Sequence, residues 1–252
     1  MTTWILLRGL TRERRHWGEF PDIFRKEIPD ARVLTPDLPG NGALCAEESP
    51  ASVAAMVTHY RHQLAREEIP PPYHLLAMSL GAMVAVAWAT RYPEEITRCV
   101  LINTSLRPFS PFYQRLKPCS YLQLLKLALP FNSTLERERQ VLTLTSRHAE
   151  NATEILNNWA KFRQENPVNT RNALRQLFAA MRFQASLTPP LSPVLILTSQ
   201  QDALVDSACS RQIAACWNSA FAAHPDAGHD LPLDDGPWVA KQVRDWLKKP
   251  LC

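Results

Sequence analysis

The 252-residue chain contains no apolar run near the roughly 20 residues a helix needs to cross a bilayer, which removes a spanning helix from consideration. Its start, Met1 to Gly9, lacks a basic region and an apolar core long enough for a secretory signal. The expectation is a cytoplasmic protein whose first apolar run is a strand. Six cysteines (Cys45, Cys99, Cys119, Cys209, Cys216 and Cys252) form no C-x-x-C pair and no framework spacing, so they read as reduced, small apolar fillers. Glycosylation-type patterns beginning at Asn103, Asn132 and Asn151 carry no weight without a secretion signal. No glycine-rich phosphate loop, internal repeat or low-complexity tract is present. His59 and His62 stand i, i+3 on a predicted helix but lack a third ligand, so neither a metal nor another cofactor is expected.

What remains is a globular composition, 46% apolar and 21% charged, with a net charge of only +4. That balance gives no reason to expect nucleic acid as a partner. The charge is unevenly spread. Between Ser105 and Pro190 there are 12 Lys and Arg against 5 Asp and Glu, a balance of +7, so the rest of the chain carries 16 against 19, or −3.

Short apolar runs alternate with longer helix-period stretches, the pattern of a mostly parallel sheet flanked by helices, hence an α/β fold. Strands are expected at Thr3–Leu7, Ala31–Thr35, Tyr73–Met78, Cys99–Asn103, Val194–Thr198 and Ala220–His224. Helices are expected near Ser52–Glu68, Leu80–Arg91, Ser207–Trp217 and Pro237–Lys248. The alternation fails over residues 106–188, where the text is helical and interrupted by prolines. That segment is expected to be a cap inserted into a core formed by residues 1–105 and 189–252. Its apolar stretches, Leu122–Leu129 and Leu174–Phe178, are expected to be buried at the rim of a cleft as an acyl pocket.

The sharpest local signal is Ala77-Met78-Ser79-Leu80-Gly81. An apolar strand runs into a serine with small residues two positions to either side, and a helix begins at once. Such a turn lifts the hydroxyl clear of the sheet, although a serine before a helix is also an ordinary N-cap. Two later residues favour the chemical reading. Asp202 follows the strand Val194–Thr198, and His229 lies in Ala227-Gly228-His229-Asp230 before the last helix. A serine hydroxyl needs an imidazole to take its proton, and the imidazole needs a carboxylate to fix its tautomer. The expected geometry has Ser79 Oγ within hydrogen-bond reach of His229 Nε2, with Asp202, or alternatively Asp206, on the other ring nitrogen.

The order Ser, Asp, His, together with Pro36-Asp37-Leu38-Pro39-Gly40-Asn41-Gly42 and the Gly228-His229 pair, resembles the α/β-hydrolase superfamily, in particular its small lid-bearing serine esterases. The resemblance implies an acyl-enzyme mechanism on a small-molecule ester or thioester, with the backbone N–H groups of Leu10 and Leu80 as the oxyanion hole. Where that superfamily usually carries His-Gly after the first strand, this chain has Arg8-Gly9. The loop is basic, so Arg8 and Arg12 are expected to meet an anionic substrate group. A basic cap could also receive an acidic acyl carrier protein, as with the pimeloyl methyl ester hydrolases of biotin synthesis. Two alternatives stay open: a triad-dependent synthase of the menaquinone-pathway type, and a silent binding module.

Overall fold

The computed structural model describes residues 1–127, 133–148 and 152–249. Ala128 and Leu129 of the first apolar stretch, Asn132, Asn151 and Cys252 fall outside them. In chain order the elements are β1 (Thr2–Leu7), α1 (Phe20–Glu27), β2 (Ala31–Leu34), α2 (Val53–Arg66), β3 (Tyr73–Met78), α3 (Leu80–Arg91) and β4 (Ile96–Ile102). Five helices follow: α4 (Phe112–Arg115), α5 (Tyr121–Leu127), α6 (Thr134–Thr145), α7 (Ala152–Glu165) and α8 (Thr170–Arg182). The chain closes with β5 (Val194–Ser199), α9 (Ser207–Trp217), β6 (Ala220–His224), α10 (Leu231–Asp234) and α11 (Gly236–Leu247). Among the described residues no helix is long and apolar enough to cross a membrane.

The six strands form one parallel sheet in the order β2-β1-β3-β4-β5-β6. Both faces are buried, which is why the strands read as near-continuous apolar runs. Ile5, Leu7, Leu75, Ala77, Leu101 and Ile196 face α2, α3 and α9, where Val57, Leu64, Trp88 and Ile213 complete that side. Trp4, Leu6, Leu76, Val100 and Leu197 face the other way, against Phe20, Phe24, Val239 and Val243 of α1 and α11. Helix α1 had no expectation in the sequence, because Pro21 and a polar length of eight residues hide its two buried phenylalanines.

The strand order places the site. The chain steps from β1 outward to β2, then returns to the far side of β1 and continues through β3 to β6. At such a reversal the loops leaving the carboxyl ends of the two central strands part, and open α/β sheets bind ligands in that crevice. Here the parting loops are Arg8–Arg12 after β1 and the turn at Ser79 after β3.

The described residues between β4 and β5 are largely helical, but their packing departs from the expectation. Leu122 and Leu125 are 64% and 66% exposed, and Leu174 and Phe178 are 47% and 51% exposed. In α8 the buried side chains are instead Asn172, Gln176 and Ala179. Gln176 Oε1 accepts from the Thr11 N–H (2.8 Å), and its Nε2 donates to Asn41 Oδ1 (2.8 Å) and Ser49 Oγ (2.9 Å). Asn172 accepts from the Ser49 N–H and donates to the Glu47 carbonyl. The helix turns its amide side chains inward, where loops with unpaired backbone groups need partners, and leaves its leucines outside.

Candidate active site

Ser79 has φ 54° and ψ −117°, a conformation that costs a non-glycine residue about 1–3 kcal/mol. The neighbours show what holds it. A Cβ on Gly81 would lie 2.3 Å from the Leu7 carbonyl oxygen, so only glycine lets α3 begin this close to the end of β1. A Cβ on Gly9 would sit 3.2 Å from Ser79 Cβ, so the loop after β1 passes against the serine itself. Leu80 is the first residue of α3, and its N–H has no intrahelical partner by position. The Leu10 N–H has no protein acceptor among the described residues.

His229 is buried, and its Nδ1 lies 2.7 Å from Asp202 Oδ2. Asp202 Oδ1 accepts from the N–H groups of Leu204 (2.8 Å) and Val205 (3.0 Å), which fix the carboxylate at the end of β5. Asp206, the alternative partner, is not the carboxylate on His229: its side chain caps α9, accepting from the Ala208 N–H. With a carboxylate on Nδ1, the ring carries its proton there and leaves Nε2 as acceptor. Burial alone would lower the His229 pKa. The charge and hydrogen bond of Asp202, with the charge of Asp230, outweigh it and hold the imidazole above its usual range.

Among the described residues Ser79 Oγ makes no hydrogen bond to His229, so the expected contact is not closed. Hydrogen bonds of this kind often tighten only around substrate. The two residues are instead joined through three consecutive residues, the last of β4 and the two that follow it. The Ile102 carbonyl accepts from the Ser79 N–H (3.0 Å), and Thr104 Oγ1 donates to the Ser79 carbonyl (3.2 Å). Between them Asn103 Nδ2 reaches the His229 carbonyl (2.8 Å), while Asn103 Oδ1 accepts from the Ser199 N–H (2.8 Å). The sequence marks Asn103 as the start of a glycosylation-type pattern and the last residue of an expected strand, with no role at the site. Its position at the end of a buried strand was the available signal.

Arg8 and Arg12, expected to meet an anionic substrate group, are both buried, and each is paired with a carboxylate of the protein. Arg8 is buried and pairs with Asp230; Arg12 is buried, with Nη1 2.7 Å from Glu138 Oε2 and its guanidinium 4.3 Å from the Trp159 ring centre. Arg163 pairs with the same Glu138. Two cations therefore share one carboxylate, and Glu138 stays below the usual carboxylate range although its burial pushes the other way. The loop after β1 carries Arg12 against Glu138 of α6 and Trp159 of α7 and Arg8 against Asp230 and Trp17, and in such buried places an unpaired charge would be costly.

His16 lies in the same cluster, with Nε2 2.9 Å from Arg12 Nη1. Burial, with the charges of Arg12 and Arg8, holds it well below the usual histidine range. His74 is pushed down to about 4 by burial and Arg98. Between that value and about 6.5 the unfolded chain binds protons that the folded one does not, so stability falls as pH drops. Each such group contributes up to about 1.4 kcal/mol per pH unit. His229, raised, acts oppositely and only above 6.5. The urea midpoint should therefore fall between pH 6.5 and 5, and less steeply in His16→Gln. An unchanged slope in that variant would locate the titration elsewhere.

A groove of about 620 Å³ lies at the other end of the sheet, lined by Arg61, His62, Ile69 and Tyr73 at the start of β3. Of its charged residues, Arg61 and Glu95 are paired with each other.

The sequence profile of the alpha/beta hydrolase family matches residues 4–242 of this chain. A biotin biosynthesis bifunctional protein BioHC from Cellvibrio japonicus is 28% identical over 263 residues, covering 97% of this chain and 47% of that protein. The chain thus spans about half the length of that relative. A pimeloyl-[acyl-carrier protein] methyl ester esterase from Aeromonas hydrophila is 29% identical over 203 residues, 76% of each chain. Among solved structures, an enol-lactonase from Burkholderia xenovorans superposes with a TM-score of 0.79 at 18% identity, covering 98% of this chain and 92% of that one. A thermophilic esterase from Thermogutta terrifontis gives 0.75 at 21% identity, covering 98% and 90%. At these identities the superpositions speak for the fold alone.

Proposed function

This chain belongs to the alpha/beta hydrolase family, and from that premise we propose that it cleaves a carboxylic ester or thioester through an acyl-enzyme on Ser79. The observation that carries the reading is the buried Asp202–His229 couple, tied by residues 102–104 to the backbone of a serine in a strained strand-to-helix turn. Ser79 Oγ attacks the acyl carbonyl as His229 Nε2 takes its proton, and Asp202 stabilises the imidazolium. The N–H groups of Leu10 and Leu80 receive the oxyanion, at about 3 kcal/mol for each donor. The carbonyl re-forms, the alcohol or thiol leaves with the proton from His229, and water repeats the cycle to free the acid.

The helical segment, residues 106–188, acts as a cap. Its exposed apolar side chains on α5 and α8 are available to an acyl chain, and its +7 balance suits an anionic carrier. The relative named for a pimeloyl ester on acyl carrier protein supports that substrate class. A synthase holding a polyanion with arginines loses its support here, because Arg8 and Arg12 are already paired.

The test is turnover of p-nitrophenyl esters and acyl thioesters of graded length, with an acyl-carrier methyl ester at roughly 20 and 300 mM salt. Turnover of the small esters is expected, indifferent to salt. The carrier-bound substrate should lose kcat/KM several-fold at the higher salt as steering is screened. No hydrolysis of any member sinks the proposal, and salt-indifferent turnover of the carrier substrate removes the carrier from it.

A further inference from the structure

Arg8 immediately precedes Gly9 and Leu10, and Asp230 immediately follows His229. The two side chains meet in a fork, with Nη1 to Oδ1 at 3.1 Å and Nη2 to Oδ2 at 2.6 Å, across 222 residues of sequence. Both are almost fully enclosed, 5% and 3% exposed. The guanidinium also lies 4.7 Å from the Trp17 ring centre, and its Nη1 is 3.7 Å from Sδ of Met78, the residue before Ser79. One side chain therefore touches the end of β3 and the histidine loop while its own backbone leads into the loop at Leu10.

A buried ion pair adds little stability over an apolar pair of the same size, so its place in the molecule calls for another account. A bidentate fork fixes orientation as well as distance. We propose that the Arg8–Asp230 pair is a brace that sets the position of His229 relative to the backbone N–H groups of Leu10 and Leu80, Arg8 acting through Asp230 without touching substrate. This rests on the hydrolase reading of Ser79 and His229. The brace is also electrically balanced. The charged groups facing His229 are Asp202 from the loop after β5, Asp230 from its own loop and Arg8 from the loop after β1. The two carboxylates favour the imidazolium and Arg8 opposes it, so the pair can hold the ring without adding net charge.

The experiment combines kcat and KM on an activated ester with an NMR titration of the His229 ring. The variants are Arg8→Lys, Arg8→Met, Asp230→Asn and the double variant Arg8→Met/Asp230→Leu. Displacing a base by a fraction of an ångström costs about 10- to 100-fold, so kcat should fall that much in each variant while KM changes less than about threefold. Arg8→Lys should recover only part, because an ammonium cannot form the fork. The His229 pKa should rise by about one pH unit in Arg8→Met, fall by about as much in Asp230→Asn and return towards wild type in the double variant. These opposite shifts check that both charges face the ring, while the fall in kcat at nearly constant KM, only partly recovered in Arg8→Lys, is the readout that a merely structural pair would not move. Should a single variant fail to fold, the double variant, which leaves no buried charge, carries the test alone. Wild-type kcat in it, or in Arg8→Lys and Asp230→Asn together, overturns the brace. An ester panel that wild type fails to turn over would instead overturn the hydrolase reading, and the NMR titration still reports whether the pair governs His229.

Discussion

Ser79→Ala should lose at least about 10³ in kcat on any ester that the wild type hydrolyses, with little change in thermal midpoint. The hydroxyl is the only atom removed, and the half-buried side chain makes no hydrogen bond among the described residues, so the fold gives up almost nothing. What is lost is covalent catalysis: without Oγ, His229 has no nucleophile to deprotonate except water. Residual turnover would report the oxyanion donors and binding alone. Ser79→Gly sharpens the test, because glycine accepts φ 54° without strain. That variant should be equally inactive yet at least as stable as wild type. Retained activity in either variant would remove the acyl-enzyme mechanism.

The second large effect is on stability. Glu138→Ala should destabilise the protein by about 3–5 kcal/mol, because it strands the guanidiniums of Arg12 and Arg163 in a site that one carboxylate now neutralises. For a domain of this size that lowers the thermal midpoint by roughly 6–20 °C. Glu138→Gln keeps an acceptor oxygen but not the charge and should fall between. Replacing the pair together, Arg12→Met with Glu138→Leu, should restore much of the loss, since the remaining Arg163 side chain is partly exposed and can reach water. A change below about 1 kcal/mol in Glu138→Ala would show that the cluster is solvated and contributes no more than a surface pair.

Much of this architecture is written in local pattern. All six strands lie where apolar runs stand between turn residues, and α3 and α9 have the limits their periodicity suggests. The serine turn is legible because its steric needs are local: small residues at 77 and 81. Asp202 and His229 follow from their places after strands. What eludes local reading is long-range pairing. Nothing near Arg8 announces Asp230, nor anything near Arg12 announces Glu138, and both arginines read as partners for an anionic substrate group. Helix α8 misleads for a different reason. Leu174, Leu177, Phe178 and Met181 repeat at helical spacing like a core-facing stripe, yet all four are exposed. The loops beneath that helix present backbone groups that leucine cannot satisfy and glutamine can.

Helix α6 is fastened at two points about two turns apart. Glu138 is paired with Arg12, and the carbonyl of Thr145 accepts from the Asp230 N–H at 2.6 Å. A Cβ on Gly228 would come within 2.8 Å of that same carbonyl, so the helix end and the histidine loop share one close seam. A door hinged on α6 would tear the base away from its acid each time it swung. On the proposed reading of residues 106–188 as a cap, a substrate would pass beside this helix, along the exposed apolar side chains of α5 and α8. Those two helices can drift in sequence and retune which molecules are admitted, whereas α6 is bound to the pace at which the machinery itself can change.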